Sequence, residues 1–122
     1  MIRKKWLAVV ALFGGSLCAQ NPIVPPGVFA ADPEGHQWKD GRLYLYVSRD
    51  ESPDFYCSWR YDLLSTDDLK NWTIHRDAFA SKGPNDEVPY SDGELYASDA
   101  AYKDGKYYLY YSMRDAIDEG VA

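Results

Sequence analysis

The residue in this sequence best placed for chemistry is Asp32, in the run Phe29-Ala30-Ala31-Asp32-Pro33. Proline fixes its own φ and biases the residue before it towards extended conformations. Asp32 is therefore expected on extended backbone, with small alanines leaving room around the carboxylate. An acid held in that way can act as a general base; it can equally form a turn. A second acid, Asp99, sits in similar small surroundings, Ser98-Asp99-Ala100. Other candidates read as structural. His36 follows Gly35 and is expected as a solvated loop residue, and His75 beside Arg76 as a surface strand residue. Glu94 reads as a loop charge. No His/Asp spacing fits a zinc site, so no metal ligand is expected. Cys57 lies in a strand-like run with no histidine near it in sequence, which reads as a small core hydrophobe rather than a catalytic thiol.

The elements that would position these acids recur. Trp38-Lys39-Asp40-Gly41-Arg42-Leu43-Tyr44-Leu45-Tyr46-Val47-Ser48 is a β-hairpin signature, an Asp-Gly turn pair between runs rich in aromatic and β-branched residues. Tyr102-Lys103-Asp104-Gly105-Lys106-Tyr107-Tyr108-Leu109-Tyr110-Tyr111-Ser112 repeats it, sharing the Lys-Asp-Gly, the Tyr-Leu-Tyr and the serine. Each copy is followed by Arg-Asp (Arg49-Asp50, Arg114-Asp115) and preceded by an acid, Asp32 or Asp99. Repeats at a period above roughly 50 residues point to a β-propeller with one four-stranded blade per repeat. The composition agrees: 11 tyrosines concentrate in strand-like runs, and no amphipathic helix follows the N-terminal segment.

Along the chain, residues 1–19 read as a secretory signal: basic Arg3-Lys4-Lys5, an apolar stretch from Trp6 to Phe13, then small residues up to Ala19. The apolar stretch is short for a membrane span. Residues 20–122 then form the mature domain, secreted or periplasmic. A lipoprotein reading through Cys18 is the weaker one, because Leu17 stands where a small residue is wanted. The net charge of −6 becomes −9 once Arg3, Lys4 and Lys5 are removed, which argues against nucleic acid or an anionic membrane as partner. Cys57 alone then remains and cannot form an internal disulfide. Asn21 to Pro26 is an irregular lead-in. Phe55 to Leu64 reads as a strand, and Ser65 to Trp72 as a polar turn plugged by Leu69 and Trp72. Thr73 opens a further strand, Ala80 to Gly93 is a loop, and Leu95 begins the second blade.

Four segments resemble the N-terminal part of a family 43 glycoside hydrolase. They are Asn21-Pro22-Ile23 with Ala31-Asp32-Pro33; Lys39-Asp40-Gly41 with Tyr44-Leu45-Tyr46; Thr66-Asp67-Asp68-Leu69-Lys70-Asn71-Trp72; and Tyr96-Ala97-Ser98-Asp99 with the hairpin after it. The resemblance implies an all-β, five-bladed β-propeller of which about the first two blades are present. It implies an inverting hydrolase acting on arabinose- or xylose-containing plant polysaccharides or oligosaccharides. It assigns Asp32 as general base and puts Tyr96, Asp99 and Asp50 within reach of the sugar. Tyr96 and Ser98 replace the tryptophan and proline usual in the family motif. The family's general acid and pKa-tuning aspartate belong to later blades, so this chain alone is expected to be inactive. No cofactor is implied, although a structural calcium held through a later-blade histidine is compatible with the full-length protein. A non-catalytic carbohydrate-binding propeller is the alternative, and a related five-bladed fructan- or mannoside-acting enzyme fits the second hairpin less well.

Overall fold

The computed structural model describes residues 23–55, 57–114 and 120–121. The segment read as a secretory signal lies outside these. Among the described residues there is no helix. Strands β1 (Ala30–Gln37), β2 (Leu43–Arg49), β3 (Arg60–Thr66) and β4 (Trp72–Ala80) form an antiparallel meander in sequence order. Strands β5 (Leu95–Lys103), β6 (Lys106–Met113) and β7 (Gly120–Val121) begin a second sheet in the same way. This is a complete four-stranded blade followed by three strands of the next.

Both sheet faces of the first blade are covered. On one, Leu45, Val47 and Leu64 pack with Leu43, Trp72 and Ile74 under the lead-in residues Val24 and Val28. On the other, Tyr61 and Phe79 meet Val88, Leu95, Tyr111 and Met113 across the gap to the second sheet. Period-2 alternation puts Leu43, Leu45 and Val47 of β2 on one face, and on β3 it sends Leu64 to that core and Tyr61 to the other. The rings of Tyr61 and Phe79 stack at 5.8 Å, and Phe79 meets Tyr111 at 4.8 Å. Cys57 is buried and free, as expected.

The two Lys-Asp-Gly turns differ. In the second, Asp104 (φ 51°) and Gly105 (φ 81°) form a two-residue loop between the paired Lys103 and Lys106, the left-handed turn that suits the twist of a hairpin. In the first, only Gly41 takes positive φ; its N–H donates to the Trp38 carbonyl at 3.0 Å, and pairing resumes at Gln37 and Leu43. The Asp40 carboxylate holds this wider loop, accepting from the Arg42 N–H at 3.1 Å and the Tyr44 hydroxyl at 2.7 Å.

Several expectations are corrected. The strand expected from Phe55 begins only at Arg60, because Ser52 pairs with Phe55 and Ser58 with Leu95 in isolated bridges. Leu69 is no plug: it takes φ 60° in a turn ordered by Asp68, whose carboxylate accepts three hydrogen bonds from Lys70 and Asn71, and its side chain is exposed. Trp72 does pack on the core. His36 is not in a loop but near the end of β1.

The first blade is also held by a buried ionic cluster. Opposite Asp62, β4 carries two extra residues between the pairs Tyr61–Phe79 and Leu63–His75. The Asp62 carboxylate fills that gap. It accepts the Asp77 N–H at 3.0 Å, Arg76 Nη1 at 2.6 Å and a two-pronged contact from the Arg49 guanidinium. Asp77 in turn takes Arg49 at 2.5 Å and Arg60 at 3.1 Å. Burial pushes the Asp62 carboxyl up, but the bonds from Arg49, the Asp77 backbone and Arg76 outweigh it and hold the group below the usual carboxylate range. Its contribution is therefore present above the unfolded-state value of about 3.9 and is lost as pH falls through the lower folded value. Asp62→Ala removes the shared partner of two arginines and is expected to destabilise the blade by about 3–5 kcal/mol in urea unfolding at pH 7, with the deficit narrowing under acid conditions.

Candidate active site

Each blade-opening strand carries a β-bulge at the same place. On β1 the register slips between Ala31 and Glu34, so Asp32-Pro33 is the bulge; on β5 it slips between Leu95 and Ser98, so Tyr96-Ala97 is the bulge. Asp32 stands eight residues before Asp40, and Tyr96 eight before Asp104. The structural counterpart of Asp32 is therefore Tyr96, not Asp99, although Asp99 has the more similar sequence surroundings. The extended backbone expected at Asp32 is also not found. Asp32 has φ 44°, in the left-handed region that aspartate tolerates better than most side chains. Proline suits the next position, since a bulge leaves a ladder N–H unpaired and Pro33 has none to lose. The outcome is an exposed carboxylate turned by the bulge, close enough to Tyr61 that its charge raises the phenol pKa; burial of Tyr61 is the larger cause.

The end of β2 lies beside this bulge, with Ala30 opposite Arg49 and Ala31 opposite Ser48. Ser48 is buried and donates to the Ala31 carbonyl at 3.3 Å, and the Asp50 N–H donates to Phe29 at 3.3 Å. Asp50 Oδ1 is buried and makes no hydrogen bond among the described residues. A buried unmatched carboxylate oxygen is costly unless something else donates to it. Asp50, Phe29, the loop 51–54 and Phe55 line a concavity of about 630 Å³.

Tyr96 reaches the same end of the blades, where it hydrogen-bonds the Cys57 thiol. Burial pushes that thiol up; the Tyr96 bond opposes, the nearby Asp50 and Glu94 carboxylates push further, and Arg114 opposes. The structure thus gathers Asp32, Asp50, Tyr96, Glu94 and Arg114 around Cys57 and Tyr61. Asp99 is elsewhere. It lies three residues further along β5, where its carboxylate accepts from the Ala100 N–H at 2.6 Å and meets His36 Nε2 at 2.9 Å. His36 is expected in a loop, but β1 runs past Pro33 to Gln37, and alternation puts Glu34 and His36 on one side of it.

The sequence profile described as "Glycosyl hydrolases family 43" matches residues 19–121. This chain belongs to glycosyl hydrolase family 43. The family is a five-bladed β-propeller, and the meander β1–β4 followed by β5–β7 matches its opening blades. A "Xylosidase/arabinosidase" of Bacteroides ovatus is 32% identical over 101 residues, covering 76% of this chain and 30% of that protein. "Xylosidase/arabinosidase 43A" of Humicola insolens is 35% identical over 96 residues, 72% of this chain and 29% of its own length. A "Beta-xylosidase" of Xylanibacter ruminicola is 31% identical over 98 residues, 74% and 30% respectively. The chain thus spans about 30% of the length of the curated relatives it matches.

Buried Cys57, its thiol pushed up by burial, is expected to be unreactive in the folded protein. In a Cys18→Ser background, native protein is expected to react with a thiol reagent at pH 8 far more slowly than protein in 8 M urea (a concentration of about that order), followed by absorbance. Equal rates would show that the thiol is open to solvent.

Proposed function

We propose that the full-length protein is an inverting glycoside hydrolase acting on arabinose- or xylose-containing plant polysaccharides or oligosaccharides, with Asp32 as general base. What supports this reading is the exposed carboxylate of Asp32, turned off the β1 ladder by its bulge, in a chain of family 43 whose relatives carry xylosidase and arabinosidase names. In inversion, one carboxylate takes a proton from water as the water attacks the anomeric carbon. A carboxylic acid roughly 6.5–9.5 Å away gives a proton to the departing oxygen. The bulge suits the first role: it turns Asp32 off the ladder and leaves both oxygens free for water. We assign the acid and its pKa-tuning partner to later blades, as the family resemblance implies, so residues 1–122 alone do not turn over substrate. Neither step calls on an organic cofactor.

Asp50 and Tyr96 take binding roles in this scheme. The unmatched Asp50 Oδ1 offers an acceptor to a sugar hydroxyl, and Tyr96 presents a ring at the position on the second blade that matches Asp32 on the first. Asp99 is engaged by His36 and is left out of the sugar contacts. The reading also assigns the protein to the periplasm or the cell exterior, where such polymers are met. In the full-length enzyme, Asp32→Asn is expected to lower kcat on aryl xylosides and arabinofuranosides by roughly 10²–10⁴ with little change in KM. NMR of the wild-type product should show the anomer opposite to that of the substrate. Near wild-type turnover by Asp32→Asn removes Asp32 from the mechanism, and retained configuration removes the inverting scheme. Asp50→Asn is expected to raise KM more than it lowers kcat.

A further inference from the structure

We propose that Glu34, His36 and Asp99 form a binding site for a borderline divalent transition cation, zinc being the test ion, which clips the first blade to the second. Glu34 and His36 are two apart on β1 and so project from the same side of the strand, and Asp99 comes from β5. One donor atom from each lies within 4.8 Å of the others. His36 Nε2 is 2.9 Å from Asp99 Oδ1 and 3.8 Å from Glu34 Oε1. Ligands bonded at about 2.1 Å around a tetrahedral or octahedral ion stand ~3.0–3.4 Å apart, so these two edges bracket the required spacing and small rotations of exposed carboxylates close the third.

The imidazole is held for this role. It stacks on Trp38 at 4.7 Å with the planes 4° apart and meets Tyr46 edge-on at 6.0 Å. Trp38 is itself fixed by a 3.2 Å bond from its indole N–H to the Tyr46 hydroxyl. Charge points the same way. Among the described residues, Glu34 and Asp99 have no ion pair except to this one imidazole, whereas both aspartates of the Asp62–Asp77 cluster are matched by arginines. Two carboxylates around one ring nitrogen leave a negative spot that a cation fills. The nitrogen donor favours zinc-like ions over calcium or magnesium, whose sites are built from oxygen alone. The ligands come from the two strands that open successive blades, so occupancy ties β1 to β5. Glu34 directly follows the Asp32-Pro33 bulge on β1, but none of the three side chains has a role in the proposed hydrolysis, so the site does not depend on the hydrolase reading.

The test uses the 122-residue chain with Cys18→Ser, stripped with chelator and titrated with zinc chloride by calorimetry while the unfolding temperature is followed. One equivalent of zinc is expected to bind and to raise the unfolding temperature. His36→Ala, Glu34→Gln and Asp99→Asn should each weaken binding at least tenfold, and His75→Ala should leave it unchanged. The wild-type titration decides the matter even if a variant does not fold: absence of saturable zinc binding overturns the site. So does calcium binding as tightly as zinc, or zinc binding that survives in folded His36→Ala.

Discussion

The two blades depend on each other through Tyr61. Its ring lies in the shared core, stacked on Phe79 and, through it, on Tyr111 of the second sheet. Its hydroxyl crosses the gap and donates to the Ala97 carbonyl at 3.2 Å, inside the second bulge. Its buried phenol also feels the Asp32 carboxylate beside the first bulge. One side chain therefore supplies apolar area to the core, satisfies a backbone acceptor that the bulge releases from the ladder, and borders the proposed general base. An aromatic body with one polar tip can do all three; phenylalanine would leave the Ala97 carbonyl without its partner.

The bulges make the site. A regular ladder would send the side chains of successive residues to alternate faces and commit each backbone group to pairing. An extra residue at Asp32-Pro33 and at Tyr96-Ala97 breaks that commitment at the same level of both blades. The freed positions carry an acid on one blade and an aromatic ring on the other. The scaffold thus offers equivalent sockets and fills them differently, while the Asp62 cluster keeps the outer strands of the first blade in place behind them.

Much of this was legible in the sequence. The paired Tyr-Leu-Tyr hairpins, the lead-in, the loop before Leu95 and the burial of Cys57 follow from alternation and turn chemistry, which are local signals. What escaped was geometry set by tertiary pairing. The rule that extends residues before proline was overridden at Asp32 because the bulge demanded left-handed backbone. The Asp32–Asp99 parallel fails because equivalence is set by distance from the turn, which matches Asp32 with Tyr96, and not by the flanking residues. His36 and Asp99 are 63 residues apart, and no periodicity within one strand reveals a contact between two.

The same Lys-Asp-Gly tripeptide closes two hairpins whose registers differ by one residue relative to it, since the wider loop of the first pairs Gln37 with Leu43 and the tighter loop of the second pairs Lys103 with Lys106. The two similar blades are therefore not modular cassettes here. Transplanting the tight loop of one repeat into the other would slide its neighbouring strands past each other and turn leucines outward in place of tyrosines. The two copies differ in their connections as much as in their faces.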